Sequence, residues 1–323
     1  EGPRLKRGKA GRLVLRGADT PGFRAGNPFF FIHRLERLWL FYVPVLANRW
    51  ERALLKYRRS DNYQKKIEPV WTWQDVITLA PGDRFADDVK KGLDELVPEE
   101  PMWAEYALPY TRLLKKAAED PVKRQIGWMT RTHPLTLPSG RILLPLYSDG
   151  FNTCLIAISD DDGSTWRPSR PIVGLAPEQP SLVRKKEGTL IAYLRDAGDA
   201  PYRVLISSST DEGQSWTLAR DTELPNPGSS VEAVVLEDGR WIMALNDTED
   251  GRHQMAVIMS DDEGRTWPWK RYVGKSPQRD RSYSYPSIIQ SKDGTIHLTY
   301  SYKENRKASI KHARFDPDWI KEK

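Results

Sequence analysis

Residues 159–166 read SDDDGSTW, a charged turn closed by a tryptophan. The same spacing returns as STDEGQSW at 209–216 and SDDEGRTW at 260–267. All three fit S-x-D-x-G-x-[ST]-W, through Ser159, Asp161, Gly163 and Trp166, then Ser209, Asp211, Gly213 and Trp216, then Ser260, Asp262, Gly264 and Trp267. An EF-hand calcium loop needs oxygen ligands at alternating positions and a closing Glu, whereas Asp161 is followed by Gly163, Thr165 and Trp166. A folding role suits the residue types better: Asp accepts hydrogen bonds from turn amides, Gly takes the bend and Trp packs between sheets. Repetition at a period of about fifty residues implies an array of similar supersecondary units.

Around each box the sequence alternates apolar runs with turns. Five copies align: NPFFFIHRLERLWLFY, HPLTLPSGRILLPLY, QPSLVRKKEGTLIAYL, SVEAVVLEDGRWIMAL and YPSIIQSKDGTIHLTY. Gly140, Gly188, Gly239 and Gly294 mark the turns, with Glu36 at the matching point of the first copy. Each copy is a strand, a tight turn and a strand. A third run such as CLIAIS or MAVIMS leads into the box, and a short fourth run such as RPIVG follows it. Four antiparallel strands per repeat make a β-propeller blade, so the predicted fold class is all-β. In the first copy, KYRRSDNYQ around Ser60 occupies the box position without its Gly and Trp. Residues 84–123 carry apolar residues at helical spacing and predict two helices inserted between blades, with breaks at Pro98, Pro101 and Pro109 and a structural or site-wall role. Ahead of the first copy, GRLVLRG reads as the outer strand of an incomplete N-terminal blade. The expectation is a single propeller domain over residues 1–323, six-bladed or else seven-bladed when intact, with five blades visible.

Composition narrows the partners. With 323 residues, 39% hydrophobic and 29% charged, the chain can bury a large core. No run approaches the ~18 apolar residues of a membrane span. Bases outnumber acids for a net charge of +6, but the two are interspersed and no basic run is interleaved with stacking aromatics, which argues against nucleic acid. Cys154, the lone cysteine, excludes an internal disulfide. No ligand set for zinc or another transition metal is visible, and no cofactor is expected. EGPRLKRGKAGRLVLRG lacks an initiator Met and an apolar signal core, and reads as a processed or truncated front. Compartment and oligomeric state stay open; a secreted or periplasmic location fits if a signal is absent from this chain.

The three boxes resemble the Asp-box, or BNR repeat, of sialidases. The wider pattern, including LPNPGSSVEAVVLEDGRW, NDTEDGRH and SYPSIIQSKDGTIHLTYSY, is similar to a bacterial predicted-neuraminidase group with polysaccharide-lyase relatives, over most of residues 20–315. The resemblance implies a six-bladed propeller acting on terminal acidic sugars. It implies a Tyr nucleophile activated by a Glu from an earlier blade, roles that fall on Tyr285 and Glu232, with Tyr283 as the rival tyrosine. It also implies three arginines for the substrate carboxylate. Here the first-blade position is missing, and the loop after Glu232 offers Asn246 instead of Arg.

Propeller geometry sorts the remaining residues, because strand starts and second-to-third loops open on the same end of each blade while the boxes lie at the other. Strand starts supply Asn27, His133, Gln179, Ser230 with Glu232, and Tyr285; the loops supply Arg49, Tyr147, Asp149, Arg195, Asp196, Asn246 and Arg252. The predicted catalytic set is Glu232, Tyr285, His133 and Asp149. Substrate-binding roles are expected of Asn27, Arg49, Arg131, Tyr147, Gln179, Arg195, Asn246 and Arg252. Three functions follow: a sialidase-like exo-glycosidase; a uronate-directed lyase in which His133 or Tyr285 removes the C5 proton; and a non-catalytic glycan-binding propeller. An acidic oligosaccharide or glycan is the partner in all three.

Overall fold

A computed structural model describes residues 24–33, 35–65, 69–96 and 104–322. The segment GRLVLRG and the prolines Pro98 and Pro101 lie outside the described residues. Five antiparallel sheets follow one another along the chain, each a meander. Blade 1 is Arg24–His33, Arg37–Val45, Lys56–Ser60 and Trp73–Val76. In blade 2 the inner strand is split into Met129–Thr130 and Leu135–Thr136, both pairing with Ile142–Ser148, followed by Thr153–Ser159 and Arg167–Pro168. Blade 3 is Pro177–Arg184, Leu190–Asp196, Arg203–Ser209 and Arg220–Pro225, and blade 4 is Glu232–Val235, Trp241–Leu245, Gln254–Ser260 and Trp269–Lys275. The last blade has three strands among the described residues, Arg281–Gln290, Ile296–Glu304 and Lys307–Phe315, so the expected fourth is not among them.

Second strands carry the core. Ile142–Ser148 and Trp241–Leu245 are buried throughout, as expected for strands covered on both faces. The hairpin turns use positive φ at Gly140 (91°), Gly188 (109°), Gly239 (88°) and Gly294 (82°), and Glu36 adopts 55° at the matching point of blade 1. The described residues divide into two compact units, one built of those up to Pro180 with Ser207–Ala219, the other of Ser181–Ile206 with those from Arg220 onward.

In the first unit, Ser159 Oγ donates to Asp161 Oδ1 at 2.8 Å, and Asp161 accepts from the Thr165 amide and hydroxyl at 2.9 and 2.6 Å. Gly163, at φ 82°, lies against Trp39 of blade 1, and Trp166 meets Phe41 edge-on at 6.4 Å. Asp162 reaches His33 Nε2, 3.3 Å away, in the hairpin of blade 1. The box of blade 3 repeats the device: Ser209 bonds Asp211 at 2.8 Å, and Glu212 lies 3.4 Å from Arg141 in the hairpin of blade 2. Blade 1 retains the Ser-to-acceptor contact although its box is degenerate, with Ser60 Oγ to Asn62 Oδ1 at 2.8 Å and the Val70 amide donating to the same oxygen at 2.7 Å.

The insertion forms helices α1 (Arg84–Leu96) and α2 (Ala104–Glu119). α1 buries Phe85, Val89, Gly92 and Leu93, one stripe at helical spacing. Phe85 meets Trp128 and Phe151 edge-on, and at Gly92 a Cβ would come within 2.8 Å of Val173, which is why a glycine stands there. Pro109, expected to break the helix, lies inside α2; the helix absorbs the loss of one amide donor early in its course.

In the second unit the third box copies the first. Ser260 Oγ donates to Asp262 at 2.8 Å, Gly264 packs on Tyr193 and Trp241, and Trp267 meets Tyr193 edge-on at 6.0 Å. Glu263 accepts from the Lys186 amide in the hairpin of blade 3 at 2.7 Å. The box tryptophans, expected to be buried, are half-buried instead. Trp166 and Trp267 meet their aromatic partners edge-on, and Trp216 Nε1 donates to Gly213 of its own turn at 3.1 Å. Trp39, Phe41, Tyr193 and Trp241, the rings that the boxes press on, are fully buried.

Candidate functional site

Three strand starts share one backbone device. Asn27, Gln179 and Tyr285 stand at φ 49°, 52° and 54°, each directly before a proline. The left-handed region is costly for non-glycine residues, and strain of this kind concentrates at binding and catalytic positions. Pairing shifts register beside two of them, between Gly26 and Phe29 and between Ser284 and Ser287. Such bulges re-aim a side chain at the end of a sheet.

In the first unit two of them, Asn27 and Gln179, meet at a buried phenol. Asn27 Nδ2 donates to Tyr147 Oη at 3.0 Å, and Gln179 hydrogen-bonds the same hydroxyl. Burial pushes the Tyr147 hydroxyl up to about 12, with Gln179 opposing the shift and the Asp149 charge adding to it, so this phenol stays protonated. Gln179 Oε1 and Thr130 Oγ1 are buried without a hydrogen-bond partner among the described residues. His133 is half-buried, edge-on to Phe29 at 6.2 Å. Asp149 is exposed and Arg131 half-buried. Arg49 is mostly exposed and pairs with Glu51 at 3.2 Å. A cleft of about 410 Å³ in this unit lies between the start of α1 and the second box, lined by Arg84, Asp88, Arg170 and Asp211, and holds none of the predicted catalytic or substrate-binding residues.

The second unit holds a cleft of about 380 Å³ at the strand-start end of blades 3 and 4, lined by Arg195, Asp196, Tyr202, Gly228, Glu249 and Asp250. Arg252 Nη2 donates to Gly228 O at 2.8 Å, and its guanidinium lies 5.3 Å from the ring centroid of Tyr285. Tyr285 is 37% exposed, whereas its rival Tyr283 is 4% exposed and packs on Tyr300 and Tyr302. Glu232 is buried, and its Oε2 accepts from the Ile288 amide at 3.0 Å, on the strand that carries Tyr285.

Two loop residues have buried surroundings. Asn246 is wholly buried and spends its amide N–H groups on Gln254 O at 2.7 Å and Tyr283 O at 3.0 Å, which ties blade 4 to blade 5. Asp196, which the sequence places among the loop residues in RDAGDAPYR, carries no assigned role there. Burial raises its carboxyl to about 6, against the lowering effect of bonds from the Gly198 and Arg203 amides at 2.8 and 3.3 Å. Both amides belong to its own loop, so the turn-forming run RDAGDAPYR is the local signal that marks it. Ser229 Oγ, Ser230 Oγ and Asn246 Oδ1 add three buried polar atoms without hydrogen-bond partners among the described residues, all at the strand-start end of blade 4. Buried polar groups are ordinarily satisfied, so this end of the blade is where water or a polar ligand is called for.

Comparison with known proteins bears on these features. The chain is 28% identical over 177 residues to a sialidase of Micromonospora viridifaciens, covering 50% of this chain and 25% of that protein. It is 26% identical over 186 residues to an anhydrosialidase of Macrobdella decora, covering 50% of this chain and 23% of the relative. It thus spans about a quarter of the length of these relatives. Among solved structures, a Hadza microbial sialidase aligns over 92% of this chain and 53% of its own, with a TM-score of 0.62 at 17% identity, which establishes a shared fold. Residues 116–298, more than half of the chain, match the BNR repeat-like domain. With that match, three Asp-boxes and propeller blades like those of sialidases, the chain belongs to the BNR repeat-like domain family.

Proposed function

We propose that this protein is a glycosidase acting on terminal acidic sugars, with Tyr285 as nucleophile. The observation that carries the reading is Tyr285 itself: a half-exposed tyrosine held at positive φ, beneath the Arg252 guanidinium, beside a cleft that Arg195 and Asp196 line. Arg252 and Arg195 supply positive charge for a sugar carboxylate. Glu232 accepts the phenolic proton as Tyr285 attacks the anomeric carbon, and a protonated carboxyl delivers a proton to the departing glycosidic oxygen. Asp196 suits that last role, since its raised proton affinity keeps a fraction protonated near neutrality. The named relatives are sialidases, which favours a sialoside over other acidic glycosides.

The test is release of fluorophore from an α-sialoside and from a uronoside by wild type, Y285F and R252A. Wild type is expected to turn over the sialoside, and Y285F to lose about a thousandfold or more in kcat. Undiminished turnover by Y285F overturns the assignment. Formation of an unsaturated uronate from a 4-linked uronate polymer would replace it with the lyase, and saturable sialoside binding without turnover would replace it with a glycan-binding propeller.

A further inference from the structure

The hairpin that ends blade 5 joins Ile296–Glu304 to Lys307–Phe315 through Asn305 and Arg306, both at positive φ, 47° and 65°. Its register runs unbroken from Ile296↔Phe315 to Glu304↔Lys307. His297 lies opposite Arg314, and His312 opposite Thr299, which makes the two histidines diagonal neighbours on one face. Their rings are within 11° of parallel, and His297 Nδ1 lies 3.0 Å from His312 Nε2. The facing nitrogens share a proton through a hydrogen bond, which requires at least one of them to present a lone pair.

A separation of 3.0 Å is also the bite of a chelate. Metal–nitrogen bonds of ~2.0–2.1 Å put two ligands about 2.9 Å apart at a right angle and about 3.4 Å apart in a tetrahedron. The observed spacing therefore fits adjacent corners of a square-planar or tetragonal ion, the preference of Cu(II) and Ni(II), better than tetrahedral zinc. The neighbouring Arg314 pairs with Asp293 at 3.5 Å, and Lys311 lies over the Tyr302 ring at 4.3 Å, so both nearby cations have partners of their own. No group of three or more His, Cys, Asp or Glu side chains that could hold a metal ion occurs among the described residues, so the two imidazoles stand as a pair.

We propose that His297 and His312 form a cross-strand clip for a tetragonal divalent metal ion, Cu(II) foremost, that fastens the strand Lys307–Phe315 to its neighbour. Binding moves the shared proton to the distal nitrogen of its own ring, a change of tautomer that leaves both imidazoles neutral, and involves no redox step. The site is separate from the cleft of blades 3 and 4.

The experiment titrates untagged full-length protein, H297A, H312A and the double variant with Cu(II) alone, followed by calorimetry and by electron paramagnetic resonance. Among the described residues His312 is exposed and His297 half-buried, and thermal melts without metal check that the variants fold. Wild type is expected to bind one ion with nitrogen hyperfine structure from two imidazoles. Either single variant should bind about a hundredfold more weakly, because chelation turns the second ligand into an intramolecular one. Equal affinity for wild type and the double variant, or a signal unchanged by both substitutions, overturns the proposal.

Discussion

Replacing Gly163 by Ala should destabilise the protein more than replacing Gly294, although the two share one backbone conformation. Both stand at φ 82°. At Gly294 an added Cβ meets no other described atom within 4 Å, so G294A reports the backbone alone. Left-handed geometry costs an L-residue about 1–2 kcal/mol, offset by ~0.4–1 kcal/mol from the stiffer unfolded chain. At Gly163 the same Cβ would sit 2.5 Å from Trp39 Cη2 and 2.9 Å from Cζ2. Trp39 is 1% exposed and stacked on Phe41, with ring centroids 5.6 Å apart, so the indole has nowhere to go. Overpacking of this kind adds roughly 1–3 kcal/mol. At about 2–4 °C per kcal/mol, or somewhat less in a larger chain, G163A should melt several degrees below G294A. Thermal unfolding followed by tryptophan fluorescence measures the difference. If the two variants melt together, the box glycine is selected by its turn and not by its fit against the preceding blade.

Asn246→Ala should lower stability by about 1–3 kcal/mol in urea unfolding by orphaning buried carbonyls; an affinity loss for sialoside with unchanged stability would instead restore the ligand-binding role expected from sequence. Asp196 makes stability fall as pH rises from about 4 to about 6, because in that window the folded chain keeps a proton that the unfolded chain has released. The melting-temperature gain of D196N over wild type should therefore grow across that window and level off above it; a pH-independent difference would contradict the buried-carboxyl account. Asp262, held down to about 2 chiefly by the Thr266 amide and the Ser260 hydroxyl, contributes stability above the ordinary carboxylate range that is lost as pH falls toward 2. Acid unfolding of D262N should accordingly show a shallower pH dependence than wild type.

The blades were legible because their signals are local. Turn glycines, alternating apolar runs and the S-x-D-x-G-x-[ST]-W spacing each act within a few residues, and the structure uses them that way. The strand starts were legible as positions, but what their side chains do was not. Asn246 and Arg252 look equivalent in the loop NDTEDGRH, yet one amide is consumed by backbone carbonyls and the other side chain lies over Tyr285. The fate of each depends on the strand that carries Tyr283 and Tyr285, well outside its own loop, and periodicity carries no record of that contact. The box tryptophans failed for a related reason: hydrophobicity identifies a packing residue but not which of its faces meets a partner.

The acidic residue at the fourth position of each box has a consequence for where a blade can be cut. Asp162, Glu212 and Glu263 all reach the hairpin of the blade before their own, to His33, Arg141 and the Lys186 amide. Every box is thus covalently part of one repeat and physically part of its predecessor, and the segment Ser207–Ala219 duly clusters with the unit of blade 2. The reading frame of the fold is offset from the reading frame of the sequence. A recombination joint placed between two sequence repeats would leave one blade without its clasp and carry an orphaned clasp into the other. A joint placed just after a box, near Arg220, moves the clasp together with the hairpin it closes.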